Sequence, residues 1–138
     1  MKRLFFGIFA LLICATSFAQ NEGQTNKNTK LLVYYFHLTN RCNTCIKIEG
    51  TTKKVLEESY QKKIDDGTIL FKTFNVELLE NKDIVKKYEA YGATLAITRI
   101  ENGKEVGTDD LTNMAFSKIN NEELFKSELK SKIDQSIK

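Results

Sequence analysis

The sequence predicts an α/β domain: a central mixed four-stranded sheet with helices on both faces, in the order β-α-β-α-β-β-α. Three observations predict it. A continuous apolar run of strand length is followed by apolar residues spaced at three and four, and then by a second strand-forming run. That is a βαβ unit, which needs a parallel pair and a right-handed crossover. Further on, an Asn-Gly pair between two strand-like runs marks a hairpin, and the C-terminal segment carries a single apolar stripe of helical period.

Before the first of these elements stands a leader. Lys2 and Arg3 precede the apolar run Leu4 to Ala15 and the small-residue exit Ser17-Phe18-Ala19, the order of a secretory signal. The run falls short of the roughly 18 residues that cross a bilayer, so residues 1–19 read as a signal peptide cleaved after Ala19. The expected compartment is therefore periplasmic or secreted. Two competing readings are an uncleaved anchor and lipidation at Cys14; against the second, Ile13 stands where lipoprotein signals place a small residue. Residues 20–30, QNEGQTNKNTK, are polar throughout and read as a disordered tether, leaving 31–138 as one domain.

Leu31 to His37, LLVYYFH, suits a central strand buried on both faces. From Cys42 the positions Cys45, Ile48, Thr52, Val55, Leu56 and Tyr60 form one face of a helix that stops near Asp66-Gly67. Ile69 to Val76 is the second strand. Asn81 is placed to cap a short helix carrying Ile84, Val85, Tyr88 and Tyr91, which Gly92 ends. Thr94 to Ile100 and Glu105 to Thr108 pair around Asn102-Gly103, the second of them as an edge strand. Asn120 or Asn121 caps a last helix with the stripe Leu124, Phe125, Leu129, Ile133 and Ile137. Asp110 to Phe116, DLTNMAF, either packs beside the loop that carries the cysteines or leads into this last helix; the second fits better. Tyr34, Tyr35, Phe36, Phe71 and Phe74 lie in predicted strands and read as core.

The chain's net charge of +3 falls to +1 without the leader, which holds Lys2 and Arg3 and no acid. Such a balance gives no electrostatic reason to expect nucleic acid or an anionic membrane surface as partner.

Beyond the leader the only cysteines are Cys42 and Cys45, in RCNTC at the start of the first helix. A thiolate at a helix N-terminus is favoured by unpaired backbone amides and the macrodipole, and C-x-x-C pairs in such settings have pKa values from about 3.5 to 7. Arg41 adds a positive charge next door. Cys42 is then the outer, attacking sulfur and Cys45, one turn in, the resolving one.

Two other uses of the pair stay open. An inert disulfide would close a four-residue loop, which restrains the unfolded chain by only roughly 2 kcal/mol. A soft metal or metalloid, Cu(I), Zn(II) or As(III), could be held by Cys42 and Cys45 in a non-enzymatic binding module. With His37, the only histidine, the chain offers three N/S ligands where a closed zinc site uses four. A single histidine at a strand end is more often satisfied locally, so His37 is given no catalytic role.

The C-x-x-C at the first turn of the helix after the first strand resembles the thioredoxin-like pattern. More narrowly, VYYFH…RCNTC, NVELLENKDIVKKYEAYG and DLTNMAF resemble a small family of secreted thioredoxin-like proteins known as nitrophenyl compound nitroreductase subunits of the ArsF type, over about residues 31–138. The resemblance implies thiol:disulfide exchange with protein or small-molecule partners, and the expected compartment implies a membrane thiol relay as the source of electrons. No G-x-G-x-x-G fingerprint is present, so the expected redox group is the Cys42–Cys45 disulfide itself, or in the alternative a soft metal ion.

Two departures from ordinary thioredoxins matter. Tyr91 to Leu95, YGATL, stands where those proteins carry a cis-proline facing the cysteines, and this chain has no proline. A trans bond and a differently shaped loop are expected there. Thioredoxins also bury an acid on the first active-site strand to help proton transfer from the inner thiol; the matching positions here are Tyr34 and Tyr35. Proton handling must be arranged differently.

Overall fold

The structure, a computed structural model, describes residues 27–138. The leader, Cys14 and residues 20–26 of the tether lie outside the described residues. The last two residues assigned to the tether, Thr29 and Lys30, are hydrogen-bonded to the domain just ahead of the first strand. Thr29 is buried and donates to the Gly67 carbonyl at 3.0 Å. Lys30 bonds Thr68 on one side and Ile100 on the other.

Four strands, β1 (Leu31–His37), β2 (Ile69–Asn75), β3 (Thr94–Glu101) and β4 (Lys104–Asp110), form one sheet in the order β2-β1-β3-β4. The first two are parallel, with Leu31 opposite Ile69 and His37 opposite Asn75. The other two pairs are antiparallel. The β3–β4 turn uses Asn102 (φ 53) and Gly103 (φ 75), the left-handed pair an Asn-Gly hairpin asks for. The sheet is thus mixed, as expected, with β4 at an edge.

The central strand splits its side chains between two cores, because successive strand residues face opposite ways. Leu31, Val33 and Tyr35 face a layer made by α1 (Asn43–Asp65), α3 (Thr112–Lys118) and α4 (Glu122–Ser136). Leu32, Tyr34 and Phe36 face the other side, where α2 (Lys82–Lys87) contributes Ile84 and Val85 and its C-cap Tyr88 joins them. On that side Tyr34, Phe36, Phe74 and Tyr88 form an aromatic cluster with ring centroids 5.0–6.4 Å apart. The apolar stripe of α1 buries Ile48, Thr51, Thr52, Val55, Leu56 and Tyr60. α4 is capped by Asn121, whose side chain accepts from the Leu124 amide at 3.2 Å.

Three local expectations are corrected. Asn81 does not cap α2 with its side chain, which instead donates to the Asn75 carbonyl at 2.8 Å and closes the turn after β2. The helix ends at Lys87, ahead of Gly92. Glu89 takes the left-handed position (φ 50), with Glu89 bonded to Lys86 and Ala90 to Val85, so a Schellman motif is built on a non-glycine residue. DLTNMAF is not a lead-in. Asp110 ends β4, buried Leu111 donates to the Leu95 carbonyl at 2.7 Å, and a separate helix buries Ala115, followed by buried Ile119.

Candidate functional site

The cysteines follow β1 at one end of the sheet. The C-terminal ends of β1 and β2 lie there, and β3, running the other way, begins there with Thr94 opposite Phe36. The loop from Leu38 to Arg41 is tied to the turn after β2. The Thr39 amide donates to Glu77 Oε2 at 2.7 Å, and Asn75 Nδ2 donates to Thr39 Oγ1 at 2.9 Å. Thr39 thereby holds the Glu77 carboxyl below its ordinary range.

Cys42 is the N-cap of α1, with extended backbone (φ −73, ψ 155), and its Sγ accepts the Cys45 amide at 3.1 Å. The two sulfurs are joined in a disulfide across a Cα–Cα distance of 5.1 Å. Cys42 is exposed and Cys45 half-buried. Cys42 is thus the more exposed residue of the pair.

Arg41, expected as a positive charge next to Cys42, has a carboxylate partner. It is turned onto Glu49, one turn beyond Cys45 on α1, and the two form an ion pair. Arg41 Nε and Nη2 and Glu49 Oε2 are shut off from water. The guanidinium charge at the head of the helix is therefore shared with a carboxylate. Nothing in composition singled Glu49 out, since acids on α1 read as a solvated face. The available signal was its spacing: four residues after Cys45 places it on the same face.

Of the two tyrosines at the strand positions in question, only Tyr35 reaches the site. Its hydroxyl donates to the Cys45 carbonyl at 2.9 Å, and burial raises its pKa, an effect partly offset by the Arg41 charge. It is a fixed donor, not a base. Tyr34 lies across the sheet in the aromatic cluster, with its phenol pushed up to about 12 by burial.

His37 Nδ1 donates to the Leu38 carbonyl at 3.0 Å, the local satisfaction expected of it. Among the described residues no group of three or more His, Cys, Asp or Glu side chains is placed to hold a metal ion. The Cys42 and Cys45 sulfurs are bonded to each other and, among the described residues, join no such group. The loop Tyr91–Ala93 has no cis peptide bond; Tyr91 is 73% exposed and Ala93 packs on the core. Leu38, Ile46, Leu78 and Leu79 are further exposed apolar side chains, Leu79 at 89%.

Neither a family model nor a curated protein sequence matches the chain. Among solved structures it is similar to thioredoxin O2 of Arabidopsis thaliana in its oxidized state, at 15% identity and a TM-score of 0.51 over 83% of this chain and 81% of that one. It is also similar to a thioredoxin of Fasciola hepatica, at 19% identity and a TM-score of 0.48 over 79% and 84% of the two chains. At the Arabidopsis level of identity what is shared is the fold: this chain has the thioredoxin-like α/β fold, with its disulfide at the head of the helix that follows the first strand.

Proposed function

We propose that the protein is a thiol:disulfide exchange protein in which Cys42 attacks and Cys45 resolves. The observation that carries this reading is the position of Cys42, an exposed helix N-cap whose sulfur already accepts a backbone N–H. When the bridge is reduced, that N–H and the helix terminus favour the Cys42 thiolate over the thiol. The thiolate attacks a partner disulfide, forming a mixed disulfide and releasing one partner thiol. Cys45 then displaces the second and restores the bridge.

An inert staple fits the same residues less well, because closing so short a loop adds little stability and would not call for an exposed sulfur at a helix terminus. The leader Met1–Ala19 supports a periplasmic or secreted location, where the oxidised form persists and a membrane thiol relay would supply electrons. The resemblance to nitrophenyl compound nitroreductase subunits supports a role as a thiol electron carrier to a cofactor-bearing partner, because nitro reduction needs a flavin or comparable carrier.

The test is a pair of variants in an insulin-type disulfide reduction assay. Cys42→Ser abolishes turnover, whereas Cys45→Ser accumulates covalent adducts with partners that a reductant releases. Retention of turnover in Cys42→Ser would overturn the assignment.

A further inference from the structure

The inner thiol must lose a proton before it can attack, and neither tyrosine on the first strand can take it. Tyr34 faces the other side of the sheet, and Tyr35 spends its hydroxyl on the Cys45 carbonyl with a pKa raised by burial. We propose that Glu49 is the proton acceptor for Cys45, with Arg41 as the residue that positions the carboxylate. This inference rests on the exchange reading above.

The geometry points to Glu49 from three sides. It lies four residues after Cys45 in an unbroken stretch of α1, so the two Cβ atoms are neighbours at about 5–6 Å on one helix face. Arg41 sits in sequence beside Cys42 and binds Glu49, which keeps the carboxylate at the head of the helix instead of out in solvent. The facing atoms of the pair are shut off from water, so the charge that faces the carboxylate there is the guanidinium of Arg41.

The transfer also conserves charge. Before it, Arg41 balances the Glu49 carboxylate; after it, Glu49 is neutral and Arg41 balances the Cys45 thiolate. No net charge is created in a partly dry site, which is what makes the step inexpensive there.

The full step balances. Cys42 Sγ is bonded to a partner sulfur; Glu49 takes the proton from Cys45 Sγ; Cys45 attacks Cys42 Sγ, forming the intramolecular bond as the bond to the partner breaks. The partner sulfur leaves with the electron pair and takes up a proton from Glu49. In sum the protein dithiol is oxidised by two electrons and the partner disulfide is reduced to two thiols.

The experiment mixes the reduced protein with 5,5′-dithiobis(2-nitrobenzoate) in a stopped-flow instrument and follows thionitrobenzoate release. The first release, by Cys42, depends on reagent concentration, and the second, by Cys45, does not. In Glu49→Gln the second phase slows at least about tenfold at pH 7, general-base contributions being typically a hundredfold or more. The gap to the native protein closes as pH rises and Cys45 ionises unaided, and Glu49→Asp recovers part of the rate. The first phase is unchanged or faster, because Arg41 is left to act on Cys42 alone.

A second phase within about twofold of native at every pH overturns the proposal, as does a slowing of both phases that no pH relieves. Arg41→Ala keeps the carboxylate but loses its anchor, and an undiminished second phase there would remove Arg41 from the account. A native protein that shows no second release at all would instead sink the exchange reading itself.

Discussion

Thr52 lies on the core side of α1, wholly buried, and its Oγ1 makes no hydrogen bond among the described residues. A buried hydroxyl without a partner costs about 1–3 kcal/mol, and valine has nearly the same shape without that cost. Thr52→Val is therefore expected to stabilise the protein by about 1 kcal/mol, raising the denaturation midpoint in urea at an unchanged slope. At this scale the site was half legible. Cys42 and Cys45 announce themselves because a thiol pair at a helix start has few bland uses. Tyr35 and Glu49 do not, because an aromatic in a strand reads as filling and an acid among the lysines of a helix reads as solvated. Their part in the site comes from contacts across the fold: a hydroxyl on a carbonyl ten residues away, and an arginine turned back onto the helix.

The helices and strands were read from period and turn chemistry, and the misreadings fall where one residue type can serve two turns. Asn81 has the right identity for a cap, but its amide is spent on the Asn75 carbonyl, so α2 starts without one. Gly92 looks like a helix stop, yet the chain turns earlier, at Glu89, where burial of Ala90 and Val85 fixes the exit. That backbone position disfavours a side chain by roughly 1–2 kcal/mol, part of which glycine returns through its greater freedom when unfolded. Glu89→Gly should stabilise by about 0.5–1 kcal/mol and raise the thermal midpoint by about 2–5 °C, measured by circular dichroism. The helix Thr112–Lys118 leaves no periodic signature in the sequence, because seven residues hold too few repeats and only the neighbouring Leu111 and Ile119 complete its buried face.

Among the described residues three α-helices stack on one side of the sheet and one short α-helix on the other, and phenols are buried on both. Burial pushes Tyr34 up to about 12 and raises Tyr35, Tyr60 and Tyr88 as well, with the bond to Asp134 adding to the effect at Tyr60. In the unfolded chain all four ionise near 10, so unfolding releases protons above that pH. Their contribution is complete below pH 10 and is lost as pH climbs toward 12. The thermal midpoint should hold up to about pH 9.5 and then fall, and Tyr34→Phe should blunt the fall by on the order of 1–2 kcal/mol over that interval. Sheet order also leaves β4 at a rim with its backbone open on one side, and Lys104, Glu105, Asp109 and Asp110 are all exposed along it. Mixed charge on an open strand discourages another chain from zippering onto it, so the protein carries its own guard against fibrous self-association at high concentration.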